Sequence, residues 1–147
     1  MYTKLEIMTI EEIQNEIIDE FSIFEDWMDK YAYLIDLGNE LDDLQESERT
    51  SENLIDGCQS KVWFSAHYED NKIIFTADSD AIITKGIASL LIRILSGHTP
   101  DKILNSELFF IEKIGLNQHL SPTRSNGLMS MIKQLRLYAM AYKSLNK

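Results

Sequence analysis

The hydrophobic periodicity of this chain changes once and then changes back, and that switch limits the folds open to it. Val62, Phe64, Ala66 and Tyr68 alternate with Trp63, Ser65 and His67, the period-two pattern of a strand. The apolar residues on either side of this stretch recur every three or four positions, as in helices. A turn at Glu69-Asp70-Asn71-Lys72 and a second run from Ile73 to Ala77 make the central element a β-hairpin. A third strand paired with it has no visible place in the pattern. The class is therefore α+β, a small antiparallel sheet packed on one side by helices.

The helices have readable ends. Thr9-Ile10-Glu11-Glu12 has the form of a capping box, and Ile10, Ile13, Ile17 and Phe21 follow at helical spacing. A second helix from about Glu25 turns Met28, Tyr31, Leu34 and Ile35 toward a core and closes at Gly38, and residues 39–50 read as a charged, solvated connection. After the hairpin, Asp78-Ser79-Asp80 supplies caps for a long helix carrying Ile83, Ile87, Leu90, Ile94 and Leu95 up to Gly97. Two shorter helical pieces follow Thr99-Pro100 and end near Gly115, then a polar loop holds Gln118, His119 and Leu120. Ser121-Pro122 opens the last helix, with Leu128, Met131, Ile132, Leu135, Tyr138 and Tyr142 as its apolar stripe.

With 147 residues, 44% of them hydrophobic, the whole chain 1–147 is expected to be one domain that buries a core without disulfide support. The formal net charge of -10 repels phosphate backbones and anionic bilayers, which excludes nucleic acid and membrane as expected partners; only the C-terminal helix gathers basic residues. No apolar signal segment opens the chain, and the longest apolar stretch, Ile87 to Leu95, is short and broken by Arg93, so a cytoplasmic protein is expected.

Cys58 is the only cysteine. It cannot close an internal disulfide or build a thiolate metal cluster, so anything it bonds comes from outside the chain. A lone cysteine is often a small buried hydrophobe, but Gly57 before it permits a tight turn, and Gln59 and Ser60 after it are poor core residues. That context favours a reactive thiol on a loop. A hydrolase or transferase would need a general base, for which His119 in its loop is the best placed; His67 in the strand and His98 after a helix end read as structural or surface residues. Asp80, Ser121 and Pro122 read first as helix-start residues, whereas a cation at Arg124 opposes the dipole of its helix and suggests a loop or an anion to anchor. Metal-ligand spacings and a glycine-rich phosphate loop are both missing from the sequence. A third reading keeps the chain as a helical interaction module with an incidental thiol.

Taken together, Gly57-Cys58-Gln59-Ser60-x-Val62-Trp63, Asp78-Ser79-Asp80-Ala81 with Lys85-Gly86, and His119-Leu120-Ser121-Pro122-Thr123-Arg124-Ser125-x-Gly127-Leu128 resemble the SufE family of sulfur acceptors. The likeness runs from about Ile17 to Tyr142 and includes Tyr31-x-Tyr33-Leu34-Ile35-x-Leu37-Gly38; Thr123 stands where the family often has serine. The resemblance implies a fold similar to iron-sulfur scaffold proteins. It also implies a role: Cys58 takes persulfide sulfur from a cysteine desulfurase, stimulates that enzyme and passes sulfur to an iron-sulfur scaffold complex. No cofactor is then held beyond the transient cysteine persulfide, since pyridoxal phosphate belongs to the desulfurase. Cys58 is the expected sulfur-bearing residue. Gly57, Gln59, Ser60, Asp80, Arg124 and His119 are the expected loop, docking or thiolate-supporting residues, with Asp80 a candidate ion-pair or loop-docking partner of Arg124.

Overall fold

The computed structural model describes residues 8–145. Helix α1 (Ile10–Phe21) starts as the sequence predicts, with the Thr9 hydroxyl accepting from the Glu12 N–H at 3.0 Å and the Glu12 carboxylate accepting from the Thr9 N–H at 2.9 Å. Helix α2 (Trp27–Asn39) is capped by Asp26, whose side chain accepts from the Asp29 N–H. It does not stop at Gly38. That residue lies inside the helix, where its missing side chain lets α2 approach α3 (Ile82–Leu95) at Gly86. Met28, expected inside, is 80% exposed, while Leu34 is fully buried.

Strands β1 (Val62–Glu69) and β2 (Lys72–Ser79) form a two-stranded antiparallel sheet in which Val62 pairs with Ser79 and Glu69 with Lys72. Asp70 and Asn71 take φ of 53° and 65°, the left-handed pair that a two-residue hairpin turn demands and that these two residue types tolerate. The return strand is longer than its apolar run. Asp78 and Ser79 remain in the ladder opposite Trp63 and Val62, so neither they nor Asp80 caps α3, which follows Ala81 with no side-chain cap.

Both sheet edges carry one further bridge in place of a third strand. Leu54 pairs with Trp63 on one side, and His98 pairs with Ile73 on the other. The stretch 39–50 is less solvated than its charge suggests. Leu44 is buried, Glu46–Glu48 form a short 3-10 turn, and Arg49 reaches Asp78 at 2.6 Å. Hydrogen bonds from Arg49, Lys85 and the Ser79 N–H overcome the effect of burial and hold the Asp78 carboxyl below its usual range.

The core sits between the hairpin and the helices. Ile87, Ala88, Leu90, Leu91, Ile94 and Leu95 of α3 pack with Phe64, Ile73 and Phe75 of the sheet. Thr99 caps α4 (Pro100–Asn105), and α5 (Phe110–Ile114) and α6 (Leu116–His119) lead to α7 (Pro122–Leu145). The expected stripe of α7 faces inward, with Leu128, Met131, Ile132 and Leu135 buried. Farther along, the Tyr138 hydroxyl lies 2.8 Å from Asn53 Oδ1 and 2.9 Å from the Phe64 carbonyl, which ties α7 to β1.

Candidate functional site: a cysteine loop on the last helix

The segment before Cys58 and the strand after it are stitched together. The Ile55 N–H donates to the Val62 carbonyl at 2.8 Å, and the Phe64 N–H donates to the Asn53 carbonyl at 2.9 Å. Lys61, where the chain re-enters the strand, is held on both its backbone groups. Its N–H donates to Asp80 Oδ1 at 3.0 Å, and its carbonyl accepts from the Ser79 hydroxyl at 2.9 Å and the Asp80 N–H at 3.1 Å. The loop 56–60 therefore projects from a base fixed at both ends. Asp80 does not cap the helix, and of the two roles the sequence suggested for it the geometry shows contact with the loop base at Lys61.

Gly57 has φ of +90°, and a Cβ there would meet Ser130 Oγ at 2.7 Å, so the loop lies directly against α7. Cys58 comes next and is half-buried. Its Sγ is 3.7 Å from the Gly127 carbonyl, and a Cβ on Gly127 would stand 3.3 Å from the sulfur. Burial pushes the Cys58 thiol up, so the resting group is a protonated thiol.

A cavity of about 620 Å³ opens beside the sulfur. Cys58, Gln59 and Ser60 form one wall, Asp80, Ala81 and Thr84 at the start of α3 a second, and Ser121, Thr123, Arg124 and Gly127 at the start of α7 a third, with Ile87 and Met131 also lining it. The positive ends of two helix dipoles thus meet at one cavity. Arg124 is exposed and makes no ion pair among the described residues; in particular it is not paired with Asp80, whose carboxylate serves Lys61.

His119 does not line this cavity. Its ring stacks on Trp27 with centroids 4.1 Å apart and planes 15° from parallel, and its Nδ1 lies 3.1 Å from the Gly115 carbonyl. The placement gives a Cys58–His119 dyad no geometric support. His67 pairs with Glu48, and His98 bridges the sheet edge through its backbone. Among the described residues no group of three or more His, Cys, Asp or Glu side chains is placed to hold a metal ion, and no helix is long and apolar enough to cross a membrane.

Two residues under the loop escaped the sequence reading as participants, Ser130, which faces Gly57, and Gly127, which faces the sulfur. Gly127 carried a signal: a glycine within a helix costs about 1 kcal/mol relative to alanine, so its presence asks for a packing reason. Cys58 Sγ is that reason.

Residues 15–139 match the SufE family, described as an Fe-S metabolism associated domain. The chain belongs to the SufE family. It is similar to a SufE-like protein of Rhizobium meliloti (strain 1021), with 40% identity over 127 residues covering 83% of this chain and 91% of the relative. A SufE-like protein of Rhizobium etli is 42% identical over 127 residues, covering 83% of this chain and 86% of the relative. Both are named as uncharacterized. A solution structure of a hypothetical protein from Thermus thermophilus superposes with a TM-score of 0.74 at 19% identity, covering 92% of this chain and 97% of that one, and supports the α+β fold. Membership of the SufE family associates the chain with Fe-S metabolism.

Proposed function

We propose that this protein is a sulfur carrier that accepts the terminal sulfur of a cysteine desulfurase persulfide on Cys58 and delivers it to an iron-sulfur assembly scaffold. The observation that carries the reading is the position of Cys58, on a base-anchored loop over a cavity and inside the family's matched region.

The step is an exchange between sulfurs. The Cys58 thiol loses its proton, and the thiolate attacks the outer sulfur of the donor's persulfide. A new S–S bond forms on Cys58, the donor's S–S bond breaks, and the donor sulfur leaves with the electron pair as thiolate; no external oxidant or reductant enters. The resting geometry makes that attack conditional. Inside the cavity the sulfur is protonated and packed against Gly127; moving the loop outward relieves the desolvation and exposes the nucleophile. On return, the same cavity shelters the persulfide from water and oxidants. Arg124 and the two helix starts supply positive potential for the anionic sulfur in passage. The carrier itself uses no cofactor, and its partners are the desulfurase and the scaffold, in the cytoplasm.

The deciding experiment mixes the protein with a cysteine desulfurase and free cysteine and follows intact mass. Wild type is expected to gain one sulfur that reductant removes, and Cys58→Ser to gain none. A wild type that gains no sulfur and leaves desulfurase turnover unchanged sinks the proposal.

A further inference from the structure

The wall of the sulfur cavity holds a buried hydroxyl that has no partner among the described residues. Of the polar residues lining the cavity, Gln59, Asp80, Ser121, Thr123 and Arg124 are exposed and Ser60 is half-buried. Thr84 alone is buried, with 6% of its surface exposed. A buried hydroxyl left unbonded is unfavourable, and a threonine within a helix can donate to the carbonyl four residues back. Thr84 does not: among the described residues its side chain makes no hydrogen bond, to Asp80 or to any other group.

The backbone beside it is open in the same way. Helix α3 follows Ala81 with no side-chain cap, and its ladder begins where the Lys85 N–H donates to the Ala81 carbonyl at 2.8 Å. The N–H groups of Ile82, Ile83 and Thr84 precede that bond, and none of them meets an acceptor among the described residues. At the start of α7, by contrast, the Arg124 N–H is taken by the Ser121 hydroxyl at 3.3 Å. The α3 corner of the cavity therefore offers one hydroxyl and one turn of backbone donors, the donor set that suits an anion.

Cys58, on another wall, names the anion. At rest its thiol is protonated and lies 3.7 Å from the Gly127 carbonyl, an acceptor. Loading inverts that polarity. A persulfide is a stronger acid than its parent thiol, so the outer sulfur is carried as an anion that accepts hydrogen bonds and donates none, and a carbonyl no longer suits it. One S–S bond also carries that sulfur about 2 Å beyond Sγ. We infer that Thr84 is a binding residue of the loaded carrier: its hydroxyl, with the open first turn of α3, donates to the outer sulfur of the Cys58 persulfide and seats it inside the cavity. The inference rests on the carrier reading and adds to it the group that tells a loaded sulfur from an empty thiol.

The test loads the purified protein with inorganic polysulfide, so that no desulfurase takes part. The Cys58 thiolate attacks a sulfane sulfur, the S–S bond behind that sulfur breaks, and a polysulfide one sulfur shorter leaves with the electron pair. Intact mass checks the gain of one sulfur, and the near-ultraviolet absorbance of the persulfide anion is followed against pH in wild type, Thr84→Val and Thr84→Ser. Thr84→Val keeps the shape and loses the hydroxyl; its midpoint is expected about one pH unit above wild type, because a hydrogen bond to the charged form favours that form. Thr84→Ser is expected to keep the wild-type midpoint. Alkylation of the unloaded Cys58 by iodoacetamide is expected to run at the wild-type rate in both variants, which separates a lost bond to the cargo from a displaced loop. Equal midpoints in wild type and Thr84→Val overturn the inference, and so does a shift shared equally by the persulfide and the empty thiol; both results leave the carrier reading standing. A wild type that takes no sulfur from polysulfide overturns it too. A Thr84→Val shift in a protein that takes no sulfur from a desulfurase supports the seat and removes the desulfurase as its donor.

Discussion

Two glycine contacts in this molecule differ in what stands opposite them, a helix main chain in one and the side chain of a loop residue in the other. At Gly38 and Gly86, α2 meets α3 backbone to backbone; a Cβ on Gly86 would stand 2.3 Å from the Leu34 carbonyl oxygen, and one on Gly38 2.7 Å from the Gly86 nitrogen. At Gly127 the neighbour is a side chain, the Cys58 sulfur at 3.3 Å, and that sulfur belongs to a loop. The first contact joins two helices anchored in the core, α2 by Leu34 and α3 by Ile87, Leu90 and Leu91. The second joins a helix to five residues fixed only at their ends. The same residue type thus admits a helix main chain in one place and a loop side chain in the other, and what differs is how rigidly the opposing atom is held.

Substitution to alanine should separate the two. Gly86→Ala is expected to destabilise the fold on the order of 1–3 kcal/mol by overpacking against a main chain that cannot retreat, read as a lower melting temperature. An unchanged melting temperature would mean that α2 and α3 slide apart freely. Gly127→Ala should leave stability within about 1 kcal/mol, because the gain in helix propensity offsets a few tenths of an ångström of displacement. Its effect belongs at the sulfur, where alkylation of Cys58 by iodoacetamide should speed up severalfold as the thiol is pushed outward. Equal alkylation rates would show that the resting sulfur does not depend on Gly127.

The smallest expected effect is in the pH dependence of wild-type alkylation. Burial favours the neutral thiol, so the midpoint should lie above that of an exposed cysteine and move down toward it in Gly127→Ala. The sign for stability follows. The folded state holds the thiol proton more tightly than the unfolded chain, so this group's contribution is complete below the unfolded thiol value and declines as pH rises through and beyond it. A midpoint equal to that of a free thiol peptide would rule out a sheltered resting state.

Much of this arrangement was legible because its signals are local. The hairpin showed as alternation from Val62, α1 as a capping box at Thr9, and α7 as a stripe after Ser121-Pro122, all of which the structure keeps. The failures share a cause: each residue was judged by its own neighbours when its partner lies far along the chain. Asp78-Ser79-Asp80 has the composition of a cap, but Arg49, Lys85 and Lys61 claim its side chains. Gly38 looked like a helix end because Gly86 was not yet opposite it. His119 pointed to the thiol only so long as Trp27, which takes its ring, was out of view. At the site, Cys58 with Gln59, Ser60, Asp80 and Arg124 does converge on one cavity. The contact of Cys58 with Gly127 needed the fold, since nothing in a sequence says which helix a loop will lie on.

The bonds that fix Ile55 to Val62 and Lys61 to Asp80 also set a tether length. Cys58 stands three steps along the chain from either knot, and an extended chain advances no more than about 3.5 Å per step, so the loop can carry the sulfur only about 10 Å outward. On the carrier reading proposed above, a donor must therefore offer its cargo near its own rim or on an arm that comes forward to meet the loop, and a persulfide sunk deeper than that swing is out of range however tightly the two proteins embrace.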